Sequence, residues 1–178
     1  LVYRFMNQGV AGEPMLQQEG LLNLPEGYHY APTLGDLDGD GRADLLLGTW
    51  KGTIAYYRST GDGFEAVNPQ FVSLPRGSNS TPALGDIDAD GDLDLFVGES
   101  DGTLNLFRNE GTPQEPQFTL EAETFNDIDV GHRSAPALTD VDGDGDLDLV
   151  IGSRDQGLVL HRNTGTASSP TFTPADSL

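Results

Sequence analysis

Apolar residues in this chain come in short runs set between turn-forming residues, and the same four runs return in the same order. The first, "APTLGD", "TPALGD" and "APALTD", leads into a crowd of aspartates. The second, "DLLLG", "DLFVG" and "DLVIG", leaves it. The third, "GTIAYYRSTG", "GTLNLFRNEG" and "QGLVLHRNTG", closes on a turn in which Gly61, Gly111 and Gly165 suit a left-handed hairpin position. The fourth reads "FEAVNPQFVSL", "PQFTLEAETF" and "SPTFTPADSL". No helical period flanks any of them. With Asp36, Asp86 and Asp140 as markers, the period is 50 and then 54 residues, in the range of solenoids and propellers. Four short strands joined by hairpins in each period predict an all-β fold built of four-stranded antiparallel propeller blades.

The N-terminal "LVYRFMNQG" aligns with the third run, and Pro14 to Leu24 with the fourth. One repeat domain over 1–178 is therefore expected to hold about three and a half blades: a half blade over 1–30 and full blades over 31–80, 81–134 and 135–178. Closed propellers have about 4–8 blades. The half blade is then an edge for assembly, which points to a homo-oligomer or to the remainder of a longer propeller.

The aspartates follow one spacing, Asp-x-Asp-x-Asp-Gly-x-x-Asp, in a loop between the first and second strands of each full blade. The copies are Asp36, Asp38, Asp40 and Asp44; Asp86, Asp88, Asp90 and Asp94; Asp140, Asp142, Asp144 and Asp148. Carboxylates this close repel by kilocalories unless a cation lies between them. Calcium takes about 6–8 oxygens in flexible geometry, and its best-known loop uses side chains at positions 1, 3 and 5, a turn glycine at 6 and a backbone carbonyl at 7. Gly41, Gly91 and Gly145 fill position 6, and position 7 is Arg42, Asp92 or Asp146. The bidentate Glu expected at position 12 is replaced by Leu47, Val97 or Ile151, and the last carboxylate stands at position 9. About three Ca2+ per chain are expected, each neutralising a loop so that the following strand can enter the core. An ion-free acidic turn is the competing reading for any single loop. Three copies at identical spacing argue against it. The first loop, with Arg42 where the others have aspartate, is expected to be weakest.

The block L-G-D-x-D-x-D-G-x-x-D-L-x-x-G resembles the FG-GAP and VCBS repeat proteins, and the resemblance covers nearly the whole chain. It implies calcium-bearing blades of integrin-alpha-like propellers and of bacterial surface proteins. Thr139, where the other copies have glycine, departs from the pattern.

Strand order places the acidic loops at one end of the blades. The connections from strand four to strand one, and from strand two to strand three, fall at the other. Those connections differ most between copies. They gather Tyr28, His29, Tyr30, Trp50, Lys51 and Arg133, a candidate surface for a glycan or an extracellular protein. Solvent-facing variation is the plainer reading of such loops. Arg58, Arg108 and Arg162 are expected to brace the turn or the neighbouring blade, and His161 to be a packed strand residue.

Net charge is −20, against the basic footprint nucleic acid demands. The three loops carry 14 of the 29 acidic residues, so the charge is a local device. There is no cysteine, hence no disulfide or thiolate metal site. No apolar run approaches the roughly 20 residues of a membrane helix, so no membrane insertion is expected. The chain starts without Met, which suggests a processed or excised segment. No nucleophile elbow, zinc-protease motif or phosphate loop is present, and no enzyme is expected. The reading is a secreted or cell-surface calcium-binding adhesion or recognition module. The alternatives are a self-assembling building block or the accessory propeller of a polysaccharide-degrading enzyme.

Overall fold

The computed structural model describes residues 3–21, 24 and 28–175. Parts of the predicted half blade and of its link to the next strand, including Gly27, lie outside the described residues. The described chain is all-β, with one 3-10 turn at Phe125–Asp127.

Three antiparallel sheets have four strands each, in chain order. The first holds β3 (Ala31–Gly35), β4 (Asp44–Gly48), β5 (Thr53–Ser59) and β6 (Phe64–Ser73). The second holds β7 (Thr81–Gly85), β8 (Asp94–Gly98), β9 (Leu104–Asn109) and β10 (Phe118–Ala122). The third holds β11 (Ala135–Thr139), β12 (Asp148–Ser153), β13 (Gly157–Asn163) and β14 (Phe172–Pro174). A two-stranded sheet of β1 (Tyr3–Asn7) and β2 (Leu16–Leu21) precedes them. β6 runs to ten residues, longer than its sequence suggests, because register shifts on either side of Tyr56 absorb the extra length.

The second strands read as unbroken apolar runs because both of their faces are covered. Leu46 packs toward the second sheet with Leu37, Ile54 and Tyr56, against Leu95, Val97 and Phe107. Its neighbours Leu45 and Leu47 turn the other way, onto Ala55 and Tyr57, with Leu24, Tyr30 and Phe64 over them. Phe96 repeats the pattern one sheet on, with Ile87, Leu104 and Leu106 against Leu149, Ile151 and Phe172. Burial of this kind stabilises by about 25 cal/mol per Å² of apolar surface removed from water. The first strands β3, β7 and β11 lie side by side in that order, so each sheet enters from a shared inner row and runs outward.

A fixed turn joins strands three and four. Asn109 Oδ1 accepts the amides of Gly111 and Gln117 at 3.1 and 2.8 Å. Asn163 does the same for Gly165 and Thr171, and Asn7 for Gly9 and Met15. The half sheet at the N-terminus thus carries the strand-three-to-four turn that its sequence alignment requires. The expected left-handed glycine holds at Gly61 alone, with φ +85°. Gly111 and Gly165 are not left-handed; a Cβ there would lie 2.2 Å from the Glu115 carbonyl and 2.3 Å from that of Ser169. Close approach of backbone, and not sign of φ, selects glycine at these two turns.

Candidate metal centres

Each acidic loop is shaped by its own aspartates. The position-1 carboxylate folds the loop over itself: Asp36 accepts the amides of Asp40 and Gly41 at 3.2 and 2.8 Å, and Asp86 those of Asp90 and Gly91 at 3.2 and 3.1 Å. Asp140 accepts from Gly143 and Gly145. Position 5 closes an Asx turn, with Asp40, Asp90 and Asp144 accepting the amides of Arg42, Asp92 and Asp146. Position 4 is left-handed in every copy, at Gly39 (φ +70°), Ala89 (+58°) and Gly143 (+82°).

This folding brings carboxylate oxygens of Asp36, Asp38 and Asp40 within 4.8 Å of one another, and likewise those of Asp86, Asp88 and Asp90. In the third loop the group is Asp140, Asp142 and Asp148. Position 9 therefore joins the cluster in one loop of three. Asp44 instead accepts from the amides of Leu37 and Ser59 and from the Tyr56 hydroxyl. Asp94 accepts from the Asn109 amide and Arg108. Asp148, although in the cluster, accepts from the amides of Val141 and Asn163. Position 9 ties loop to strand in every copy.

The strand-three arginines are the feature that sequence reasoning placed only loosely. Arg58 Nε lies 2.8 Å from Asp38 Oδ2, Arg108 Nη1 2.8 Å from Asp88 Oδ2, and Arg162 Nη1 3.0 Å from Asp142 Oδ2. Each braces position 3 of its own loop. The other oxygen of Asp38 and of Asp88 is buried and has no hydrogen-bond partner, which is costly for a carboxylate unless a cation meets it. The donor set is entirely hard oxygen, as calcium requires, so the residues present fit that ion.

Position 7 adds a signal that its assignment as a backbone ligand missed. The Asp92 side chain is buried with an unpartnered Oδ1, and so is that of Asp146. Burial, with Asp90, Asp94, Asp88 and Asp86 nearby, pushes the Asp92 carboxyl up to about 6. Burial and Asp144 raise Asp146 as well. Arg42 carries no such load, since its guanidinium pairs with Asp40. A cavity of about 390 Å³ runs between Asp36, Leu37 and Gly39 of the first loop and Gly91, Asp92 and Leu93 of the second.

At the opposite end, Tyr28, His29, Trp50 and Lys51 line one opening of about 760 Å³ together with Ser78 and Asn79. Trp50 is 44% and Tyr28 73% exposed, and the Lys51 ammonium sits 5.6 Å from the Trp50 ring centre. Tyr30 lies deeper, in a smaller recess of about 210 Å³ that reaches Leu47 and Tyr57. Arg133 is exposed one repeat further on and does not line either space. His161 is buried in its strand, which holds its imidazole below its usual pKa.

Two serines that the sequence did not single out bind the sheets together at this end. Ser80 Oγ accepts the Thr49 amide at 2.9 Å and reaches the carbonyls of Thr49 and Thr53. Ser134 Oγ accepts the Glu99 amide at 2.8 Å and reaches the carbonyls of Glu99 and Thr103. The third copy of this position is Tyr30.

An all-β chain of antiparallel sheets with an acidic loop after each first strand defines a class of β repeat proteins. Residues 36–97 and 86–151 match the FG-GAP-like repeat, each match running from the position-1 aspartate of one loop into the strand that follows the next. Together the matches span well over half of the chain, and the protein belongs to the FG-GAP-like repeat family. No curated protein matches it.

Proposed function

We propose that this chain is a non-catalytic recognition module of β-propeller type that works outside the cell and binds about three Ca2+ ions. The single observation that carries the reading is the buried, unpartnered oxygen of Asp38 and Asp88, held toward the cluster by an arginine on its other oxygen. Family membership supports it, since FG-GAP-like repeats are often extracellular and often bind calcium. Millimolar calcium outside cells suits sites of the weaker extracellular class. Calorimetric titration is expected to show about three ions per wild-type chain and one fewer in Asp88→Ala. Heat of dilution alone in the wild type overturns the calcium reading.

The opening around Trp50 is the ligand surface in this proposal, for a glycan or an extracellular protein segment. Aromatic faces beside an ammonium and amide groups suit either, and the loops are held in place beforehand, which lowers the ordering cost of binding. The equivalent residues one repeat on are Ser100 and Asp101, so the first interval alone is aromatic. Trp50→Ala is expected to leave the melting temperature within about 1 °C and to abolish signal on a glycan array run in calcium. A stability loss of several degrees instead makes Trp50 a packing residue.

A second reading is assembly through the half sheet, where Tyr3, Phe5, Met6 and Leu16 are exposed. Light scattering at micromolar concentration tests it; a monomer sinks it.

A further inference from the structure

The chain carries 9 Lys and Arg against 29 Asp and Glu, so a cation without a carboxylate beside it is out of place. Arg4, Arg42, Arg58, Arg76, Arg108 and Arg162 each pair with at least one. Lys51, Arg133 and Arg154 pair with none among the described residues, and all three are exposed. Lys51 follows Trp50 in the hairpin of the first sheet, Arg154 lies in the hairpin of the third, and Arg133 in the connection that leads into the third. The unpaired cations therefore share the end of the sheets opposite the acidic loops.

The backbone holds this end in one shape. His29, Asn79 and Arg133 take the same position in three successive connections, and each is left-handed, with φ of +53°, +57° and +58°. That conformation is uncommon for a residue with a Cβ and clusters where ligands are held. The Asn79 and Arg133 amides donate to the carbonyls of Trp50 and Ser100 in the preceding hairpins, each at 3.1 Å, and the Arg154 amide to the His132 carbonyl at 3.0 Å. Hairpin and connection are locked together, so the cations they carry need little further ordering to meet a ligand.

Placement and neighbours say which anion fits. The three cations are spread from the first repeat to the third and do not converge on one point, which suits an extended polyanion better than a small ion. Asp101 and Asp155 stand in the same row of hairpins, Asp155 bound to His132 Nδ1 at 2.6 Å. They repel a chain as densely charged as nucleic acid and tolerate one whose charges are sparse. At the first repeat the exposed rings of Trp50 and Tyr28 offer flat apolar faces. A sugar chain with a carboxylate on every ring or every second ring has both features. The acidic loops lie a five-residue strand away, about 17 Å, beyond the roughly 8 Å over which charges act at physiological salt.

We infer that this end of the molecule binds an acidic polysaccharide, with a sugar ring against Trp50 and Tyr28 and uronate carboxylates meeting Lys51 and, further along, Arg133 and Arg154. The inference rests on the Trp50 opening being the ligand surface, and adds to it the charge and the length of the ligand.

The test measures binding of hyaluronan and polygalacturonate hexasaccharides to the full chain in calcium. The same sugars with their carboxylates reduced to alcohols, a glutamate hexapeptide and an oligodeoxythymidylate are run beside them. At least one acidic sugar is expected to bind about tenfold more tightly than its reduced form, the worth of a hydrogen bond to a charged group. Lys51→Met, which keeps an apolar stem beside Trp50, is expected to remove most of that difference. Arg133→Gln with Arg154→Gln is expected to weaken the hexasaccharide several-fold and to leave a disaccharide of the same sugar unaffected, with the melt unchanged in both variants. Equal binding of acidic and reduced forms, lost in Trp50→Ala, overturns the charge preference and leaves the ligand surface standing. Tighter binding of the peptide or the oligonucleotide overturns the sugar. A hexasaccharide indifferent to both arginines overturns the extended path, and no binding of either acidic sugar overturns the inference as a whole.

Discussion

The position-3 aspartates divide their two oxygens between unlike tasks. One is neutralised by the arginine immediately after a strand-three aromatic or histidine, and in Asp38 and Asp88 the other is left bare inside the loop. Spacing alone shows that the carboxylates gather, because alternate residues in a tight turn point to one side. It does not show the arginine, whose side chain comes from a strand about twenty residues away and declares itself only by recurring in all three copies. Ala89 offers a second test at this scale. It takes the left-handed conformation that glycine holds at the same place in the other loops. The left-handed form costs a residue with a Cβ about 1–2 kcal/mol, while glycine loses about 0.4–1 kcal/mol through the freer unfolded chain. Ala89→Gly is thus expected to stabilise by about 0.5–1 kcal/mol, read as a rise in urea midpoint in chelator. A fall means that the loop is not left-handed there.

Among elements, the strands and their order were legible because each repeat writes them again; an apolar run that is ambiguous once is settled by three copies in one frame. What joins sheet to sheet was not. Ser80 and Ser134 sit in loops whose other residues vary, and a serine before a strand signals nothing by itself. Its role appears only when the preceding hairpin is folded against it. Each hydroxyl is buried and serves three backbone groups. Loss of such a group strands buried partners at about 1–3 kcal/mol. Ser134→Ala is expected to lower the urea midpoint by the equivalent of that loss with the slope unchanged. A neutral Ser134→Ala means that the sheets are held by their apolar faces alone.

For the molecule as a whole, the acidic loops and the serine ties lie at opposite ends of the same sheets, so the proposed calcium ions and the hydrogen bonds would each secure one end of the stack. Sites with dissociation constants of about 0.1–1 mM, filled at 10 mM calcium, stabilise by about 1.4–2.7 kcal/mol each. Three of them are expected to raise the melting temperature by about 10 °C or more over chelator; coincident melts count against any linkage of calcium to folding. The arginine braces add a kinetic consequence. If the proposed ions are bound, a loop that releases one keeps its arginine on the position-3 carboxylate, so its shape is expected to outlast the ion. Exchange is then expected to be fast compared with unfolding, and a passing fall in calcium to soften the fold reversibly before any sheet comes apart.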